Sequence, residues 1–149
     1  MTDTMDAAEQ LALTLSKGGL QRMTARVMSA LLFAEQETIT AGELAERLRI
    51  SPGTVSTAIK NLTMVGLIER VPAPGSRREH FRFREGAWAI LMSGQNEIVQ
   101  VMQDAAEEGI AVVGEDSIAG RRLAEMRDFY AYLMAELPAI IQRWHESRA

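Results

Sequence analysis

Five short polar side chains, Thr54, Ser56, Thr57, Lys60 and Asn61, fall together when residues 52–65 are wound as a helix, because Val55, Ile59 and Leu62 claim the opposite stripe for the core. Hydroxyls, an amide and one ammonium are suited to phosphate oxygens and to base edges in a major groove. Residues 51–65 contain no carboxylate, in a chain whose net charge is −4. A purely structural surface helix more often carries Glu/Lys pairs one turn apart, so the missing acid fits a face that must approach phosphate. A second cluster, Gly75-Ser76-Arg77-Arg78, offers two guanidinium groups on a tight turn, and arginine suits a narrow, electronegative minor groove. The bland alternatives are a solvated helix face and a basic loop with no ligand. The two clusters reinforce each other, because a reading helix followed by a basic hairpin fits adjacent grooves of one duplex.

Other chemistry is poorly represented. The chain has no cysteine, which removes disulfides, thiol redox sensing, thiolate zinc sites and cysteine nucleophiles together. His80 and His145 are too far apart in sequence for HxxxH or HExxH spacing. There is no nucleophile–base motif and no Gly-rich phosphate loop, so the expectation is a protein that is not an enzyme and holds no cofactor or metal. The 149 residues fit one domain with a full core. No apolar run reaches the roughly 20 residues that cross a bilayer. The acidic start MTDTMDAAEQ lacks a signal pattern, so a cytoplasmic protein without a membrane partner is expected. Between residues 40 and 85 eight basic residues face five acidic ones, a local surplus of three. The remainder is strongly acidic, and such asymmetry steers a polyanion to one patch.

The elements that position these residues are marked locally. Helices are expected over about residues 4–17 and 20–36, separated by Gly18-Gly19. Thr40 and Glu43 make a capping box for a short helix ending near Leu48. Ser51 as N-cap and Pro52 at the first position open the next, which Gly66 ends. Only Arg49 and Ile50 separate Leu48 from Ser51, so the two helices must cross steeply, as in a helix-turn-helix. Residues 67–71 and the alternating His80-Phe81-Arg82-Phe83-Arg84 predict a two-stranded hairpin with Arg77-Arg78 at its tip. A long helix is expected from Gly86 to about Val113, with Leu91, Ile98, Ala105 and Val112 at seven-residue steps and Gly94 and Gly109 as weak points. The last helix begins near Asp116. Met126, Tyr130, Leu133, Leu137, Ile140 and Trp144 form a packing seam along it, and Pro138 is expected to kink or restart it.

The run TAGELAERLRISPGTVSTAIKNLTMVGLIER, followed by a proline-rich basic wing, resembles the winged helix-turn-helix of the MarR family of bacterial transcriptional regulators, over about residues 38–86. The PGSRREH form of the wing is similar to that of GbsR-like regulators. The resemblance implies a mostly α fold with a small β-hairpin wing, a winged helix-turn-helix flanked by N- and C-terminal dimerisation helices. Three segments follow from it: supporting helices over 1–37, a DNA-binding lobe over 38–86, and long dimerisation helices over 87–149. It implies a homodimer on a near-palindromic operator in double-stranded DNA, and the leading expectation is a repressor. The recognition role falls on Thr54, Ser56, Thr57, Lys60 and Asn61, the wing role on Arg77 and Arg78, and dimerisation on Leu11, Leu15 and the seam from Met126 to Trp144.

Two positions depart from the family's pattern. The wing usually carries an acidic residue just before its arginines, and Gly75-Ser76 stands there instead, so bracing must differ. The turn between the helices often has glycine where Arg49 stands. Held at positive φ, Arg49 would cost on the order of 1 kcal/mol and in return offer a phosphate contact. The chain's nine methionines, among them Met23, Met28, Met92, Met102 and Met126, could shape an adaptable pocket for a small apolar or aromatic effector. Ordinary core filling is the competing reading, and Trp88 and Trp144 are expected simply to pack. The runner-up function is a winged-helix protein-interaction module with no DNA target, against which the acid-free helix argues.

Overall fold

The computed structural model describes residues 2–94 and 96–149. The chain forms two compact units, one up to Trp88 and one over Ala89–Ala149.

In the first unit α1 (Thr2–Lys17) and α2 (Arg22–Leu32) pack against each other, β1 (Ile39–Thr40) leads into α3 (Ala41–Leu48), and α4 (Pro52–Met64) is followed by β2 (Ile68–Val71) and β3 (His80–Phe83). The capping chemistry is where the sequence puts it. Thr40 accepts the Glu43 N–H at 3.1 Å, and Ser51 accepts the Thr54 N–H at 3.1 Å with Pro52 opening α4. Past Val65, Gly66 at φ 84° lets the Leu67 N–H return to the Leu62 carbonyl at 3.0 Å, which ends the helix. Val27, Ile39, Leu44, Val55, Leu62 and Ile68 are the largely inaccessible centre of this unit.

The sheet differs from the expected hairpin. It has three antiparallel strands in the order β1-β3-β2, with Ile39 opposite Phe81 and Ile68 opposite Phe83. β1 is only two residues long and contains the cap of α3, so no alternation marks it. Partners on β3 make it a strand. The second helix also stops at Leu32 rather than near residue 36.

Arg26 ties three elements of this unit. Its guanidinium pairs with Glu9 of α1 at 2.9 Å and donates to the Leu48 carbonyl at the end of α3 at 3.1 Å. A cation there satisfies a carbonyl that the helix leaves free.

In the second unit the long helix is two. α5 (Ala87–Ser93) leads in from the first unit and stops at Gly94, and α6 (Asn96–Val113) follows. Gly109 does not break α6; a Cβ there would lie 2.9 Å from a Leu123 methyl, so the glycine admits a side chain of α7. α7 (Ile118–Arg148) runs through Pro138 without restarting. α6 and α7 pack on each other, with Val99, Ala106, Ile110 and Leu137 buried. Arg127 adds an electrostatic tie, 2.7 Å from Glu107 and 2.9 Å from Asp128; these hydrogen bonds, Asp128 first, raise its pKa further. No helix among the described residues is long and apolar enough to cross a membrane.

Candidate nucleic-acid interface

The site is built on α4. Val55, Ala58, Ile59 and Leu62 are buried and fix the helix's rotation. That rotation leaves Ser56, Thr57, Lys60 and Asn61 exposed and Thr54 half-buried. Two of the five are less free than their types suggest. Thr54 Oγ1 lies 2.7 Å from Ser51 Oγ, within the cap, and the Thr57 hydroxyl donates to the Gly53 carbonyl at 3.1 Å. Thr57 therefore offers acceptor lone pairs and a methyl group outward. Ser56, Lys60 and Asn61 carry the donors.

The turn before α4 contains the strained residue the sequence anticipates. Arg49 sits at φ 56°, ψ 47°, the only non-glycine at positive φ among the described residues. The conformation lets the Ile50 N–H reach the Ala45 carbonyl at 3.1 Å and close α3. Replacing Arg49 with glycine is expected to raise stability by about 1 kcal/mol, because glycine bears no left-handed penalty; a thermal or urea unfolding series reads it.

The wing is electrostatically sorted. Along its strands the arginines are paired: Arg82 with Glu69 at 2.8 Å, Arg84 with the same carboxylate at 3.7 Å, and Arg70 with Glu79 at 3.1 Å. At the tip, Arg77 and Arg78 are exposed. Among the described residues no carboxylate is within ion-pair distance of Lys60, Arg77, Arg78 or Arg49. Lys60 and Ser56 share a groove with Arg70 and Glu79, so the helix face continues onto the wing strands. The unpaired cations of this unit thus include one on α4, one in the turn and two at the wing tip. His80 is a residue that sequence reading places only as a strand position; here its ring touches Thr38 and Ser76.

The other expected residues are dispersed. Leu11 and Leu15 are half-buried on α1. Met126, Tyr130 and Leu133 are half-buried and Leu137 is buried in the unit where α7 packs on α6, while Ile140 and Trp144 are exposed. On α6 the seven-residue series runs along the outside: Ile98 and Val112 are 62% and 85% exposed. The methionines do not gather in one place. Met28 belongs to the core of the first unit and Met92 is exposed on α5. No group of His, Asp or Glu among the described residues has the arrangement of a metal site.

Comparison with known proteins bears on both units. A model described as the MarR family matches residues 18–79, and one described as an MmpR5-like MarR family transcriptional regulator matches residues 86–147. The HTH-type transcriptional regulator MmpR5 of Mycobacterium tuberculosis is 36% identical over 135 residues, covering 88% of this chain and 80% of that protein. A crystal structure of a transcriptional regulator superposes with a TM-score of 0.84 at 32% identity, covering 97% of this chain and 99% of that one.

Proposed function

The chain belongs to the MarR family of transcriptional regulators, and on that premise we propose that it is a homodimeric repressor reading a near-palindromic operator in double-stranded DNA. It is a regulator and not an enzyme. In the proposed complex residues 52–65 lie in the major groove and the wing, residues 72–79, enters the minor groove beside it. The observation that carries this reading is the charge sorting of the first unit. Every basic residue on the wing strands has a carboxylate partner, whereas Lys60, Arg49, Arg77 and Arg78 have none. Cations left unpaired beside the acid-free helix 51–65 are matched by a polyanion. The two half-sites then lie about one helical turn apart, centre to centre.

For the second copy, the proposed contact is Leu11 and Leu15 with the seam from Met126 to Trp144, of which Leu137 is buried in the chain, Met126, Tyr130 and Leu133 are half-buried and Ile140 and Trp144 are exposed. Ile98, Val101, Phe129, Tyr132, Ile140 and Trp144 are all exposed apolar side chains of the second unit, more than a solvated helical hairpin needs. Sedimentation at micromolar concentration is expected to give a dimer, and a monomer there would remove the paired half-sites.

The DNA reading is tested with the protein's own promoter region across a salt series. The affinity is expected to fall steeply with salt. Arg77→Ala/Arg78→Ala removes four cations per dimer and should reduce the slope of log K against log salt by about 3.6, at −0.9 per phosphate contact. A slope equal to that of the unaltered protein takes the wing off the DNA; an affinity that ignores salt, or no shift at low micromolar protein, returns the module to protein–protein interaction. Arg49→Gly, expected to stabilise the fold, should lower this affinity severalfold through the lost phosphate contact, a loss on the order of 1 kcal/mol.

A further inference from the structure

We propose that His80 is the positioning residue of the wing, acting through Ser76 in place of the acidic brace that the wing sequence lacks. The inference rests on the reading above that Arg77 and Arg78 contact DNA.

The wing turns at Gly75, whose φ of 85° a side chain rarely adopts, and the Ser76 N–H returns to the Ala73 carbonyl at 3.0 Å. Ser76 Oγ then accepts the Arg78 N–H at 3.2 Å, which closes the segment carrying both arginines. That hydroxyl is held from the sheet side. His80 Nε2 lies 3.1 Å from Ser76 Oγ, and its Nδ1 lies 3.0 Å from Thr38 Oγ1. A neutral imidazole donates from one nitrogen and accepts at the other, and each hydroxyl can do either. Both contacts are therefore satisfied whichever nitrogen bears the proton.

The base of the ring is equally fixed. His80 lies on the central strand, opposite Thr40 of β1 on one side and Val71 of β2 on the other. The ring thus links the start of β1, the middle of the sheet and an otherwise exposed tip. No carboxylate competes for the role: Glu79, the one acid in residues 72–79, is paired with Arg70 on β2. The choice of brace has an electrostatic consequence. A carboxylate that holds a wing arginine also cancels its charge locally. Two hydroxyls and an imidazole hold the turn through its backbone and leave both guanidinium groups uncompensated for phosphate.

The test is a double-mutant cycle with the full-length protein and promoter DNA, reading Kd by fluorescence anisotropy at several salt concentrations. His80→Ala and Ser76→Ala are each expected to weaken binding about threefold to tenfold, the worth of one net hydrogen bond, and to flatten the salt dependence. In the Arg77→Ala/Arg78→Ala background neither should have a further effect, and Ser76→Thr, which keeps the hydroxyl, should recover most of the affinity. Ser76→Ala alters an exposed loop position, so it serves even where His80→Ala lowers the folded fraction. Losses that persist undiminished without the arginines would overturn the proposal. So would a fall in Tm or in active fraction with the salt slope unchanged. If Arg77→Ala/Arg78→Ala itself binds like the unaltered protein, the placement of the wing on DNA fails first, and His80 has nothing to position.

Discussion

Lys60→Glu is expected to abolish specific DNA binding, weakening it at least about a hundredfold, while leaving the fold intact. The argument is one of charge and position. Lys60 is exposed on α4, one turn beyond Ser56, and contributes nothing to the buried stripe of Val55, Ala58, Ile59 and Leu62. Stability should therefore stay within about 0.5 kcal/mol of the unaltered protein, as for surface substitutions generally. Binding is different. A hydrogen bond to a charged group is worth roughly 1.5–3 kcal/mol, and the substitution adds repulsion of phosphate to the loss of that bond. The proposed dimer would suffer this twice, so a loss of about 3 kcal/mol or more is expected, which is the hundredfold figure at 1.4 kcal/mol per decade. Lys60→Gln separates the two contributions, since it removes the cation without adding an anion and should cost less. Tight binding by Lys60→Glu at moderate salt would place α4 away from the duplex and leave the wing without its partner element.

Much of the first unit was legible because its signals are local. A cap acts over three residues, and Thr40, Ser51-Pro52 and Gly66 each announce a boundary that the fold respects. Arg49 at positive φ was legible only through the resemblance, which puts glycine often at that turn position. What escaped is non-local. β1 has two residues and exists through its pairing with Phe81 and His80, about forty positions away. The Thr38–His80–Ser76 contacts likewise depend on the sheet bringing β1 and the wing tip together. At Pro138 the helix continues instead of restarting. The proline's missing N–H and its clash with the preceding turn disfavour a helix interior, yet Leu137 beside it is buried and α7 continues to Arg148. Apolar spacing on α6 left open which side the chain buries. The seven-residue series on α6 is real, but it marks the exposed side, because that helix is apolar on a second side through Val99, Ala106 and Ile110. Periodicity names a stripe without naming what covers it.

Gly120→Ala is expected to destabilise the second unit by about 2 kcal/mol or more, against the usual sign of such a change. In an ordinary helix interior alanine is favoured over glycine by roughly 1 kcal/mol. Gly120 is in the first turn of α7, and an added Cβ would stand 1.9 Å from the Gly114 carbonyl oxygen, 2.9 Å from its carbon and 3.0 Å from Ser117 Oγ. Two of these three obstacles are backbone, so no rotamer change relieves them. The carbonyl is also committed: it accepts the Ser117 hydroxyl at 2.8 Å, and the same hydroxyl accepts the Gly120 N–H at 2.9 Å, capping α7. Making room for a methyl group means moving the α6–α7 turn and losing that cap. Overpacking of this kind costs about 1–3 kcal/mol and a lost cap about 1, which together exceed the propensity gain. For a chain of this size the expected fall in Tm is about 4–8 °C, at 2–4 °C per kcal/mol. Gly42→Ala, within α3, is the matched control, because its nearest obstacle, the hydroxyl of the N-cap Thr40, is 3.9 Å away; it should leave Tm unchanged or raise it. If Gly120→Ala behaves like Gly42→Ala, the close turn between α6 and α7 is not how this hairpin is built. If it lowers Tm as expected and also weakens operator binding without touching α4 or the wing, the hairpin's integrity is coupled to pairing of the two reading units.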